Sequence, residues 1–408
     1  MKKLIALLLA AMMVISMAAC GNSGNEAGAQ GGTMAPVAKD ELKVGFIFLH
    51  DENSTYDKNF IDAAKAACET MGVKMVQKTQ IPESNACYEA AVELIEVEDC
   101  DIIFADSFGH ESFLIQAAKE YPNVQFCHAT GTMAHTEKLA NFHNAFASIY
   151  QGRYAAGVVA GLKLNEMIDA GTITAEQAKM GYVGAFTFAE VISGYTSFYL
   201  GAKSVCPSVT MDVRFTGSWY DETKEKQAAE ALIAGNCVLI SQHADSMGAP
   251  TACENAGVPN VSYNGSTAAA CPETFLISSR INWAPYFEYM IQCVIDGKAI
   301  DTDWTGTLET GSVALTELGK NVAAGTQEKL DEVLAGLKDG SIKVFDTTTF
   351  TVGGEALASY MADVDTDAEF TKDTEAVADG EFQESKFRSG PYFDVEIDGI
   401  NLLDRNYG

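Results

Sequence analysis

The sequence predicts an α/β protein made of two successive units, each a parallel sheet with helices on both faces. Two observations carry that expectation. Short, almost wholly apolar β-rich runs alternate with segments of helical periodicity from Lys43 to Ser262, and the alternation restarts after one longer helical stretch, Tyr150 to Met167. Continuous apolar strands separated by helices are buried on both faces, which is the pattern of parallel sheets joined by right-handed crossovers.

The first unit opens with the strand pattern Lys43 to Leu49, followed by a helical pattern from Tyr56 to Met71. Strand Val73 to Val76, helix Cys87 to Val97, strand Ile102 to Phe104, helix Glu111 to Glu120 and strand Val124 to Phe126 come next. In the second unit the strands are Met180 to Val183, Thr210 to Phe215, Cys237 to Ile240 and Val258 to Ser262. Between them run helices Glu190 to Val205, Asp221 to Ala234 and Met247 to Ala256. After Ile277 the chain is expected to return to the first unit through helix Pro285 to Ile295 and to cross again near Thr305 to Leu315, before helix Gln327 to Lys338. From Asp346 the chain turns Thr-rich and acidic, with Gly353-Gly354 and Gly380 as turns. That stretch reads as an appendage packed across the hinge or on the back of the first unit.

The N-terminus carries an export signal: Met1, Lys2 and Lys3 are followed by the uncharged apolar run Leu4 to Met17, then Ala18-Ala19-Cys20. The run is shorter than the roughly 20 residues that span a bilayer. Residues 1–19 are therefore expected to be removed and Cys20 to be acylated, with an ordinary signal peptide as the alternative. Residues 20–41, rich in Gly, Asn, Ala and Gln, read as a flexible tether too poor in apolar surface to order itself. The protein would then sit lipid-anchored on the extracytoplasmic face of the cell membrane.

The chain has 27 Lys and Arg against 56 Asp and Glu, a formal charge of −29, which excludes nucleic acid as a partner. Besides Cys20, the cysteines at positions 68, 87, 100, 127, 206, 237, 253, 271 and 293 form no C-x-x-C pair and sit in apolar patterns. They read as small buried apolar side chains. The chain also lacks G-x-x-x-x-G-K-[ST], H-E-x-x-H and G-x-S-x-G, so no catalytic motif, metal site or cofactor is expected. Asp51, Glu52 and Asp57 are the only carboxylates that could be drawn as a metal cluster for a hydrolase.

Ligands of open parallel sheets bind beyond the carboxyl ends of the strands. Those positions hold His50 to Asp57, Asp106 to Gly109 and His128 to Gly131 in the first unit. In the second they hold Phe186 to Glu190, Gly217 to Asp221, Gln242 to Ser246 and Tyr263 to Ser266.

Ser107-Phe108-Gly109, Gln151 to Tyr154, Ser218-Trp219-Tyr220-Asp221, Gln242-His243-x-Asp245-Ser246 and Asn282-Trp283-Ala284-Pro285-Tyr286 occur in this order. Together they resemble the basic membrane protein family of ABC-transporter solute-binding lipoproteins, which includes purine-nucleoside receptors. The likeness runs from about Lys43 to about Phe345, with more in Phe387 to Asp394. It implies a type I periplasmic-binding-protein fold whose two lobes close on a ligand by a hinge. Lobe one would comprise residues 42–149 and 278–312, lobe two residues 150–277 and 313–345, and residues 346–408 a C-terminal extension.

The resemblance also implies a monomer that delivers a small molecule to ABC permease subunits. Tyr56 and Trp219 match the aromatic pair that holds a purine, one ring from each lobe. A flat heterocycle offers two faces for such stacking, worth about 1–3 kcal/mol per aromatic contact. Its polar edge needs directional partners, for which Ser107, Phe108 and Gly109, Glu190, His243, Asp245, Asn264 and Trp283 are the candidates. Asn264 stands where the nucleoside receptors have a ribose-gripping Asp, and Ser279 to Trp283 contains no Lys in register. This favours a free base such as adenine over a nucleoside, a riboflavin-like heterocycle or a sugar. Each residue also has a purely structural reading: Tyr56 as a helix staple, Trp219 as core, Trp283 as hinge cover, and His243, His110 and His128 as satisfied histidines. Asp221 would cap its helix, and Glu190 suits a helix start through the dipole alone.

Overall fold

The computed structural model describes residues 34–364 and 374–404. Residues 1–33, with the export signal and Cys20, lie outside the described residues.

The first sheet is built from β1 (Lys43–Ile47), β2 (Lys74–Lys78), β3 (Ile102–Ala105), β4 (Gln125–Ala129) and β5 (Phe142–Ala147). Helices α1 (Thr55–Met71), α2 (Asn85–Glu96), α3 (Glu111–Glu120) and the short α4 (Ala134–Glu137) connect them. Helix α1 starts where it does because the Ser54 side chain accepts from the Asp57 N–H. It stops at Gly72, whose φ of 65° suits a residue without a Cβ and whose N–H reaches the Cys68 carbonyl.

The long α5 (Ile149–Asp169) carries the chain into the second sheet, formed by β6 (Lys179–Gly184), β7 (Thr210–Phe215), β8 (Leu239–Gln242), β9 (Asn260–Tyr263) and β10 (Phe275–Ile281). Its connections are α6 (Ala189–Val205), α7 (Glu222–Ala234) and α8 (Gly248–Ala256). Helix α9 (Ala284–Asp296) and β11 (Asp303–Gly306) return to the first sheet, β12 (Val313–Leu315) goes back to the second, and α10 (Thr326–Asp339) follows. The strand order is β11-β5-β4-β3-β1-β2 in the first sheet and β12-β10-β9-β8-β6-β7 in the second. Pairing is parallel throughout the first sheet, while β12 runs antiparallel to β10.

Three segments cross between the sheets side by side. Ser148 N donates to Gly306 O at 2.9 Å, and Asn282 N donates to Ser312 O at 2.7 Å. A bundle of three short connections can bend through a few dihedrals while both sheets stay rigid, which is the construction of a hinge.

Some expectations need correction. The strand β10 stays in the second sheet to Ile281, so the return to the first lies after Ile281 and not after Ile277. The tether gives way to packed chain before residue 41. Met34 and Val37 press on the first core, and Val37 N donates to Val294 O, because these two apolar side chains have a surface to bury. The C-terminal stretch belongs mainly to the second lobe. Phe345, Phe350, Phe382, Tyr392, Phe393, Val395 and Ile397 are buried in its core, and a last strand, Ile400–Leu402, pairs with β7. Around Ser389 it also reaches the first lobe, where Ser389 N donates to Asp303 Oδ1 at 2.8 Å. All nine cysteines among the described residues are free and buried.

Candidate functional site

The carboxyl ends of both sheets face one narrow cavity, with about 330 Å3 of unfilled space when its opening to solvent is included. Its walls are Leu49, Tyr56, Ser107, Phe108 and Thr130 from the first lobe, and Glu190, Trp219, His243, Asp245 and Tyr263 from the second. The lobes touch around it: Thr55 N and Oγ1 both donate to Asp245 O, at 2.9 and 3.1 Å. The Phe108 ring meets Phe188 at 5.2 Å, and His50 meets Tyr220 at 5.3 Å.

The aromatic walls are each held from behind. Tyr56, in the first turn of α1, donates its hydroxyl to Asp106 O at 2.7 Å and leans on Phe60 at 4.8 Å. Trp219 sits edge-on to Phe186 at 5.0 Å, on a loop fixed by Asp245 N donating to Trp219 O. Asp221 caps α7 by accepting from Lys224 N at 3.0 Å.

The polar wall comes from the second lobe. His243 Nε2 lies 3.3 Å from Glu190 Oε1. Burial holds the His243 imidazole below its ordinary pKa, so it is neutral. Burial first, and then the charges of Asp57, Glu225 and Glu190, push the Asp245 carboxyl well above the carboxylate range. A protonated Asp245 can donate a hydrogen bond into the cavity where an ionised one could only accept.

Of the residues singled out from sequence, Tyr56, Ser107, Phe108, Glu190, Trp219, His243 and Asp245 line this cavity, and three do not. Gly109 N donates to Glu83 Oε1 at 2.7 Å, and the same oxygen takes the Ser107 hydroxyl at 2.6 Å, so Glu83 occupies both donors. Asn264 is buried at φ 62°, its N–H bound to Ser279 O, in the turn that follows β9 and outside the cavity lining. Trp283 is core: 1% exposed, stacked on Phe60 at 4.4 Å and flanked by Phe104 and Phe287.

Leu49, Thr130 and Tyr263 were not selected from sequence, although Thr130 and Tyr263 stand in the strand-end segments where a site was sought. His110 and His128 are structural. Their Nε2 atoms bond Ile81 O and Ser107 O, and burial pushes both down to about 4. Asp57 is engaged by Ser54 Oγ and by His50 N and Nδ1, and no metal-holding cluster occurs among the described residues.

A second, outer chamber of about 700 Å3 shares Phe108, Thr130, Glu190 and Trp219 with the cavity. Its far side is Thr132, Asp363, Arg388 and Pro391, so the C-terminal segment walls the approach.

The slot between the two lobes, lined by both, is the candidate ligand site. The family described as ABC transporter substrate-binding protein, PnrA-like, matches residues 47–346. The chain belongs to this family. As a PnrA-like substrate-binding protein it is the extracytoplasmic solute-binding part of an ABC transporter, which passes a small molecule to permease subunits, and not an enzyme.

It is 31% identical to a purine-binding protein of Brucella abortus over 76% of this chain and 84% of that one. It is 34% identical to a putative ABC transporter glucose-binding protein, TsgA13, of Haloferax volcanii, over 58% of this chain and 56% of that one. Among solved structures, an ABC transporter solute-binding protein from Aeropyrum pernix K1 superposes with TM-score 0.63 at 17% identity, covering 74% of this chain and 93% of that one. That likeness fixes the fold as the type I periplasmic-binding-protein arrangement.

Proposed function

We propose that this PnrA-like protein captures a free purine base, adenine-like in shape and edge chemistry, and presents it to its permease in the closed state. The observation that carries the reading is the slot itself: Tyr56 from one lobe and Trp219 from the other line one narrow cavity whose polar wall in the second lobe is Glu190, His243 and Asp245. Aromatic side chains from opposite lobes suit the two faces of a planar ring. The paired acids suit its edge, since an acceptor and a donor side by side match an amine beside a ring nitrogen. The purine-binding relative from Brucella abortus supports the same ligand class.

A purine nucleoside is the second reading, and the outer chamber favours it. Arg388, Asp363 and Thr132 would face a sugar attached to the base. That Asn264, at the position that would grip a ribose, is not among the residues lining the cavity weighs the other way.

The test is to denature the purified protein, look for a released ultraviolet absorber and identify it by mass. A purine is the expected result; a released sugar, as the name of the Haloferax volcanii relative would suggest, overturns the reading. Adenosine incubated with the protein is expected to be captured without turnover. Acylation of Cys20 completes the proposal, holding the protein at the membrane by a tether. Cys20→Ser is then expected to shift it from the membrane fraction to the soluble one.

A further inference from the structure

Arg153 lies near the start of α5, wholly buried, and forms no ion pair among the described residues. Its guanidinium is held by neutral groups. Nη2 donates to the Tyr182 hydroxyl at 2.6 Å, to Gln242 O at 3.1 Å and to Ser241 Oγ at 3.3 Å. Nη1 reaches Ser279 Oγ at 3.4 Å and Ser262 O at 3.5 Å. The rings of Tyr182, Phe198 and Tyr263 lie 5.3, 5.5 and 4.8 Å from it. A buried cation surrounded by dipoles alone still needs an anion within electrostatic reach.

The hydrogen-bond chain from Arg153 leads to the Glu190 carboxyl group. A guanidinium only donates, so the Tyr182 oxygen accepts from it and the Tyr182 proton is left to point onward. The next group is His243 Nδ1, at 3.4 Å. Once Nδ1 accepts, the single proton of a neutral imidazole must sit on Nε2, which faces Glu190 Oε1 at 3.3 Å. Each proton position along the chain is set by the one before it.

We propose that Arg153 and Tyr182 are positioning residues that fix His243 as its Nε2–H tautomer and so hold Glu190 as a hydrogen-bond acceptor at the cavity wall, selecting ligands with an N–H donor at that edge, such as an exocyclic amine on a flat heterocycle. The inference rests on the purine reading and deepens it. Without the Tyr182 hydroxyl, Nδ1 has no donor and the imidazole is free to turn its lone pair on Nε2 towards Glu190. The two would then repel, and the amine of the ligand would lose its acceptor.

The probes are adenine and unsubstituted purine, which share the ring but differ by the amine, titrated calorimetrically into the unaltered protein and into Tyr182→Phe, Glu190→Gln and the double variant. A hydrogen bond to a charged group corresponds to roughly tenfold to hundredfold in affinity, and the unaltered protein is expected to prefer adenine by a factor in that range. Tyr182→Phe is expected to bring the adenine-to-purine ratio down to about threefold or less, Glu190→Gln to do the same, and the double variant to add nothing further. A general loosening of the lobe would weaken both probes together and leave the ratio in place. If the unaltered protein binds adenine and the ratio is unmoved by Tyr182→Phe, or if the two substitutions act additively, the inference fails while the purine reading stands. Binding of neither probe by the unaltered protein overturns both.

Discussion

Trp219 and Trp283 are both preceded by small polar residues and both sit near a strand end, yet one lines the cavity and the other is packed among Phe60, Phe104, Phe146 and Phe287. Their substitutions should separate cleanly. Trp219→Ala is expected to weaken adenine binding by about 5-fold to 150-fold, the equivalent of one lost stacking contact, with the melting temperature nearly unchanged. Trp283→Ala is expected to lower the unfolding free energy by about 3–5 kcal/mol, read by urea denaturation. The reverse pattern would show the two roles exchanged. At this scale the sequence pointed to seven of the ten residues that line the cavity, because residues after buried strands have few other places to go. It could not see that Glu83, far along the chain, would take the Ser107 and Gly109 donors. Nor could it see that Tyr263, at the end of β9, would line the cavity while Asn264, next in the chain, would not.

Among the elements, α5 and α6 approach so closely that a Cβ on Gly157 would run into the Phe198 carbonyl, and one on Gly201 into that of Tyr154. Gly157→Ala must push the helices apart, and a loss of about 1–3 kcal/mol is expected from denaturant unfolding. The C-terminal segment is fastened to the same α6 by Glu384, which is buried and takes hydrogen bonds from Ser193 at 2.7 Å and from Ser385. Burial pushes Glu384 up from 4.5 to about 7. The native state therefore holds this proton more tightly than the unfolded chain, and its contribution to stability falls as pH rises from 4.5 to about 7. Over that window the loss is about 3 kcal/mol. Glu384→Gln keeps a hydrogen-bonding side chain without the titration, so its stability relative to the unaltered protein is expected to improve between pH 5 and pH 8; a constant difference would refute the assignment. Two interior strands of the large sheets escaped the sequence reading for a related reason. The strand β5 contains His143 and Asn144, which look unfit for burial until Gln125 and Glu111 supply their partners. In β10, Ser278, Ser279 and Arg280 break the apolar run, and β12 and Asn59 bond them.

For the whole molecule, the contacts that ring the cavity, from Thr55 to Asp245 and from Phe108 to Phe188, join the two lobes, and parting them would widen the way in for a ligand. A ligand that bridges Tyr56 and Trp219 then biases the hinge towards closure by as much as it prefers the closed state. Small-angle scattering is expected to show a smaller radius of gyration with adenine than without, alongside a melting temperature that climbs with adenine concentration. No change in radius would leave capture without the closing motion. The alternating pattern, the doubled unit, the acidic surface and the strand-end segments were all written in the sequence, since periodicity and composition are local properties. Tertiary structure alone decided which strand-end residues share one cavity, that residues 346 onward complete the second core, and that Arg153 stands behind Glu190. Those outcomes depend on which distant side chains satisfy one another's hydrogen bonds and fill one another's voids, and no local pattern encodes that.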